Sequence, residues 1–235
     1  MAKIGYGYGS EWQLMRFLAR HRNQLEKKIL KELGESAGDF KWLDFRYDKS
    51  NFVGDQELKG LSFLDVDEIK NKIGRQAIEK IKKNYISNWN QSWDAIFVLN
   101  DTIYLVEAKA HDGEIKGNKD NGGKSKMKIK SFMSEQLANY NISVTDEWMK
   151  EYYQLTNRLA TAAYLSNNGV KAKCLYIYFL NGYNKPNDNK SVQKEDDFKK
   201  AIDQEMIALG LDSDSEALKQ LYAGIFIDCL GNGQQ

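Results

Sequence analysis

The stretch Trp93–His111 (WDAIFVLNDTIYLVEAKAH) limits the fold more than any other part of the chain. Two apolar runs flank Asn100-Asp101, a pair suited to a tight turn, so the stretch reads as a β-hairpin. A two-residue turn pairs Leu99 with Thr102, and counting outward sets Asp94 opposite Glu107. A four-residue turn keeps that pairing; an odd-length loop breaks it. Side chains alternate along a strand, so one face carries Asp94, Ile96, Val98, Ile103, Leu105, Glu107 and Lys109. The other carries Ala95, Phe97, Leu99, Thr102, Tyr104, Val106 and Ala108. Both faces are apolar in their middles, which predicts a hairpin covered on both sides in an α/β domain with a mixed central sheet.

The flanking chain supports that class. Residues 1–9 are Gly-rich and read as loose. Ser10 with Gln13 reads as a capping box opening a helix to about Leu33, with Gly34 as its stop. A short strand is expected at Trp42–Tyr47. Asp65 and Glu68 form a second capping box before a helix whose apolar stripe is Ile69, Ile73, Ala77, Ile81 and Tyr85. Residues 112–130 are Gly-, Asn- and Lys-rich and read as a mobile loop. A helix over about 146–166, a strand at Lys173–Leu180, a helix at Lys194–Leu209 and a strand at Ala223–Leu230 complete the pattern. With 235 residues, 42% of them hydrophobic, and no linker or repeat, this is one domain spanning 1–235.

Composition removes several function classes. A net charge of +1 defines no partner, so nucleic-acid binding would need a local basic patch. Cys174 and Cys229 lie in apolar runs without CxxC or Cys/His spacing, as free buried thiols do, and argue against structural zinc. Cys174–Leu180 is far shorter than the roughly 18 residues of a membrane span. The N-terminus lacks a signal-peptide pattern. A soluble cytoplasmic protein without membrane contact is expected.

Asp94 opposite Glu107 needs explaining. Like charges at paired positions, with Cβ atoms roughly 5 Å apart, are destabilising. Ionised carboxylates in an apolar surround cost several kcal/mol each unless compensated. Lys109 offsets part of the cost, and a divalent cation would offset the rest, since two carboxylates with waters commonly hold Mg²⁺. A partly wet salt bridge, with Lys109 neutralising both acids, accounts for the same residues.

Asp94 followed by Glu107-Ala108-Lys109 resembles the signature of the PD-(D/E)xK nuclease superfamily, with Trp93 standing where the name-giving pattern has Pro. The order of elements over 10–180 is similar as well. The resemblance implies a restriction-endonuclease-like three-layer α/β/α fold. It implies hydrolysis of a nucleic-acid phosphodiester, DNA ahead of RNA, leaving a 5′-phosphate. Asp94 and Glu107 would bind Mg²⁺, for which Mn²⁺ could substitute, with the Ala108 carbonyl as a further ligand. Lys109 would orient or deprotonate the attacking water. Glu11, on the first turn of the N-terminal helix, is the candidate for an additional acid; as a helix-start acid it also suits the macrodipole.

Family branches related to recombination exonucleases carry Gln-x-x-x-Tyr on the helix after the hairpin. Gln154 fits, and Arg158 takes the Tyr position. The two share a face, where an Arg could hold a phosphate bidentately, although a solvated polar stripe reads the same way. Lys124, Lys126 and Lys128, with Lys116, Lys119 and Lys130 nearby, could grip a nucleic-acid backbone from the loop; a solvated surface loop is the plainer reading. His111, two residues past Lys109, could assist proton transfer or simply cap the loop. The competing reading is a catalytically inactive scaffold or nucleic-acid-binding module of the same fold. The oligomeric state is open, a homodimer included.

Overall fold

A computed structural model describes residues 9–43, 58–87, 89, 91–117, 126–182 and 194–230. Strand β4 (Ala95–Leu99) pairs antiparallel with β5 (Thr102–Lys109), and Leu99 faces Thr102 as the turn chemistry requires. Asn100 sits in the turn with φ 54°, a left-handed conformation that asparagine tolerates. With β1 (Phe40–Trp42), β6 (Ala172–Leu180) and β7 (Tyr222–Asp228), these form a five-stranded sheet in the order β1-β4-β5-β6-β7. The β1-β4-β5 half is antiparallel, while β6 and β7 run parallel to β5, so the sheet is mixed. A separate two-stranded ribbon joins β2 (Leu58–Lys59) to β3 (Ser92–Trp93), immediately before Asp94.

Helices cover both sheet faces. Helices α1 (Ser10–Arg20) and α2 (Arg22–Leu33) lay Leu14, Phe17, Leu25 and Ile29 against Phe97, Leu99, Val106 and Ala108. The opposite face, with Ile96, Val98, Ile103, Leu105 and Tyr176, packs against α3 (Asp67–Ile73), α4 (Arg75–Asn84), α5 (Lys126–Leu137), α6 (Tyr153–Asn167), α7 (Glu195–Leu209) and α8 (Glu216–Leu221). The two apolar faces of the hairpin are therefore both buried, as their composition predicts. Cys174 and Cys229 are free and buried. Among the described residues, no helix is long and apolar enough to cross a membrane.

The helix boundaries differ from the sequence reading in several places. The segment 10–33 is two helices, broken at His21 (φ −129°, ψ 25°), whose ring packs on Phe17. The break lets both helices lay apolar residues on one sheet face. Ser10 is the first helical residue and makes no capping bond; Gly34, at φ 71°, is the expected stop. Asp65 caps nothing either. It lies in a short 3₁₀ turn and pairs with Lys82 at 2.5 Å, while Gly74 (φ 88°) divides the expected helix into α3 and α4.

The stretch 112–130 is not one loop. It holds a 3₁₀ turn at Asp112–Glu114 and the start of α5, which buries Ile129, Met133 and Leu137 at four-residue spacing. Residues 118–125 lie outside the described residues, Lys119 and Lys124 among them. The first sheet strand covers Phe40–Trp42, earlier than expected, and 44–47 are also outside the description, as are residues 1–8. The helix expected from 146 begins as a 3₁₀ turn, Asp146–Met149, and becomes α-helical only at Tyr153.

Candidate functional site

The sheet's register decides the site. Ala95 faces Val106, so the next step outward brings Asp94, in the break between β3 and β4, opposite Glu107. Successive peptide groups of a strand point to alternate neighbours. The Ile103 N–H donates to the Lys171 carbonyl beside β6 at 2.9 Å, so the peptides of Glu107 and Lys109 also face β6 and that of Ala108 faces β4. There β4 has ended, and the Asp94 carboxylate takes the place of a strand acceptor. Its Oδ2 accepts the Ala108 N–H at 2.7 Å. The Ala108 carbonyl leaves the strand on that same side.

Glu107 is the hub. It is 3% exposed, and four donors surround its carboxylate. Oε1 accepts from Lys109 Nζ at 2.8 Å and from Gln154 Nε2 at 2.5 Å. Oε2 accepts from Arg158 Nε at 3.1 Å and Nη2 at 3.0 Å. Lys109 Nζ also donates to Gln154 Oε1 at 2.6 Å, closing a triangle of the three side chains. Arg158 has anchors of its own: it donates to the Ser92 carbonyl and to Asn157 Oδ1, each at 2.7 Å, and lies over the Trp93 ring at 4.7 Å. Trp93 is in turn fixed by donating its indole N–H to the Gly60 carbonyl at 2.8 Å, which is what the β2–β3 ribbon contributes here.

The two opposed acids titrate in opposite directions. Burial by itself would raise Glu107, but Lys109 and Arg158 outweigh it and hold the carboxyl below the ordinary glutamate range. Asp94 is pushed up to about 7, first by burial and then by the Glu107 charge, with the Ala108 N–H and the two cations opposing only in part. Burial works against the Arg158 charge, yet Glu107 keeps its pKa above the ordinary value. The carboxylate at Glu107 is thus compensated from within, and the one at Asp94 only in part.

The expected site residues divide accordingly. Asp94, Glu107, Lys109, Ala108, Gln154 and Arg158 meet at one rim of the sheet. Gln154 and Arg158 do share a helix face, but Arg158 is 5% exposed and bound to Glu107; neither a solvated stripe nor an open phosphate contact describes it. The reason is that α6 buries its whole central length, Leu155 to Leu165. Glu11 lies on the first turn of α1, whose residues Leu14 and Phe17 pack on the opposite sheet face. Among the described residues, no group of three or more His, Cys, Asp or Glu side chains is arranged to hold a metal ion. Lys126 is partly buried and Lys128 exposed, both on α5, and Lys130 pairs with Asp146 at 2.6 Å. His111 places Nε2 3.4 Å from Glu114 Oε1, and its buried Nδ1 has no hydrogen-bond partner among the described residues.

One acid was not singled out in the sequence. Glu205, on α7, is 2% exposed and pushed up to about 8 by burial, against which the Lys109 charge acts. Its charge also bears on Tyr176, Tyr178 and Tyr222, which line the same sheet face beside Lys109. The signal was readable: Phe198, Ile202, Glu205 and Leu209 follow helical spacing, so the acid interrupts an apolar stripe.

The donor set suits a divalent cation in composition. Asp94 offers a carboxylate compensated only in part, Glu107 a second one opposite it, and the Ala108 carbonyl a neutral oxygen, all hard ligands. No protein-family model matches the chain, and neither the curated proteins nor the solved structures yield a match.

Proposed function

We propose that the protein is a Mg²⁺-dependent nuclease of restriction-endonuclease-like architecture, hydrolysing nucleic-acid phosphodiesters, DNA ahead of RNA. The observation that carries this reading is the opposition of Asp94 to Glu107 with Lys109 alongside, at a rim where Lys109 and Arg158 offset the Asp94 charge only in part. The mixed sheet supports it too: an antiparallel hairpin is followed by a helix and a strand parallel to β5, the order of elements the PD-(D/E)xK resemblance implies.

Asp94, Glu107 and the Ala108 carbonyl would hold the metal, which when bound lowers the pKa of water and polarises phosphate oxygens. The chain's own groups do the rest. Lys109, tethered between Glu107 and Gln154, keeps an ammonium fixed at the rim, where a pre-placed positive charge favours the developing charge of the transition state. Gln154 keeps Lys109 and Glu107 in mutual register through its two amide atoms. Trp93 and the buried α6 exclude water from the inner side of the cluster.

Incubating wild type and Lys109→Ala with linear, circular and single-stranded DNA and with RNA, plus Mg²⁺ or Mn²⁺, tests the proposal. Cleavage by wild type alone supports it, and equal cutting by both proteins removes it. A second reading draws on one observation: both Glu107 oxygens are already occupied by protein donors, as in a purely structural ion-pair cluster. Such a scaffold would bind nucleic acid or a partner without cutting, and its melting temperature would not respond to Mn²⁺.

A further inference from the structure

Resting on that metal reading, we propose that Arg158 is the internal cation a divalent ion must displace from Glu107, and that it limits how tightly the free protein holds the ion. An ionised carboxylate offers about four lone-pair positions. Four donors reach Glu107: Lys109 Nζ and Gln154 Nε2 on Oε1, and Arg158 Nε and Nη2 on Oε2. A metal ion therefore cannot coordinate Glu107 without removing a donor.

The two oxygens differ in how they can be freed. Clearing Oε1 requires both Lys109 and Gln154 to move, and these are bound to one another at 2.6 Å. Clearing Oε2 requires Arg158 alone. Once off Glu107, the guanidinium does not need a new partner, because the Ser92 carbonyl, Asn157 Oδ1 and the Trp93 face still hold it. It stays as a fixed positive charge beside the ion.

Charge counting gives the same result. Ionised Asp94 and Glu107 are balanced by Lys109 and Arg158, so the cluster as a whole offers a cation no net attraction. Without Arg158 the cluster carries one net negative charge. The repulsion between a unit charge and a divalent ion a few ångströms away, even at the dielectric of water, is worth about tenfold in affinity. Arg158→Met, which keeps bulk and removes charge, is therefore expected to bind Mn²⁺ at least about tenfold more tightly than wild type.

The experiment is titration with MnCl₂, followed by calorimetry and by the electron-spin signal of free Mn²⁺, on wild type, Arg158→Met and Arg158→Gln. Glu107→Gln serves as the control that locates the site, and circular-dichroism melting checks the fold of each. Arg158→Gln removes the same charge with a shorter, polar side chain and leaves Lys109 and Gln154 on Glu107 Oε1. It is expected to tighten binding by a similar factor of about ten, and it decides the matter if Arg158→Met does not fold. Tighter binding in the variants, lost in Glu107→Gln, supports the role of Arg158. Wild-type binding that the variants match or weaken overturns it while leaving the metal reading intact. No saturable binding by any folded variant overturns both.

Discussion

Asp94→Asn preserves the shape of the side chain and the oxygen that accepts the Ala108 N–H, but removes the charge. Asp94 is raised from 3.8 to about 7, a difference worth about 4 kcal/mol at 1.36 kcal/mol per pH unit. For an acid whose folded pKa lies above its unfolded value, the folded state binds the proton more tightly. Stability is then greatest below the unfolded pKa and falls as pH rises, until the folded pKa is passed. The wild type therefore carries a penalty that grows from about pH 4 to about pH 7 and is constant above. Local relaxation around Asp94 and Glu107 reduces it, so the variant is expected to gain about 2–4 kcal/mol at pH 8 and less than about half of that at pH 5. Urea unfolding at the two pH values measures this directly. The same variant should lose nuclease activity and any Mn²⁺-induced rise in melting temperature. A variant less stable than wild type at pH 8, or one whose gain is equal at both pH values, would refute the claim that the Asp94 charge is only partly compensated.

Lys109→Ala should lower turnover by roughly 10²–10⁴ while leaving nucleic-acid affinity within a few-fold, as single-turnover cleavage and filter binding can show, because the ammonium acts on the reacting phosphate. Glu205→Gln should stabilise the protein at pH 9 by about 2–4 kcal/mol and not at pH 4.5, since Glu205 is raised from 4.5 to about 8 and wild-type stability falls as pH climbs through that window; thermal melts across pH test it. Gly224→Ala should cost about 1–3 kcal/mol in urea unfolding, because its Cβ would lie 2.9 Å from the Tyr222 hydroxyl and 3.2 Å from Tyr178 Cε2. Those two tyrosines bond at 2.9 Å, and a full-stability variant would mean the pair moves freely.

The hairpin was legible because three independent local signals agree on it: Asn-Asp at the turn, period-two alternation, and apolar residues on both faces. That agreement also carried the pairing of residues 94 and 107, since register follows from turn length alone. Helix breaks were less legible. His21 interrupts an apolar pattern that continues on both sides of it, and only the need to drape two helices over one sheet face explains the kink. The α5 helix was hidden by lysine-rich composition, although Ile129, Met133 and Leu137 carry its period. At the site, Arg158 was read by its chemistry toward phosphate. Its actual partner, Glu107, is 51 residues away in the chain, and a contact between a helix and a strand leaves no periodicity to read.

Glu107, Lys109, Gln154 and Arg158 would form a satisfied buried cluster without any further acid. Their bonds are mutual, and Glu107 stays ionised despite complete burial. Such clusters are common structural fittings and, replaced whole by apolar residues, often cost nothing. Asp94 is different. Among the described residues it joins no cation by a hydrogen bond, it raises the electrostatic cost of its neighbour, and its one described bond, to the Ala108 N–H, is one an asparagine would make equally well. A purely structural account predicts that neutralising residue 94 raises stability above neutral pH and changes nothing else. A metal-dependent account predicts the same gain in stability together with loss of activity and of the Mn²⁺ response. The separation of stability from activity at this one residue is therefore the sharpest difference between the two accounts.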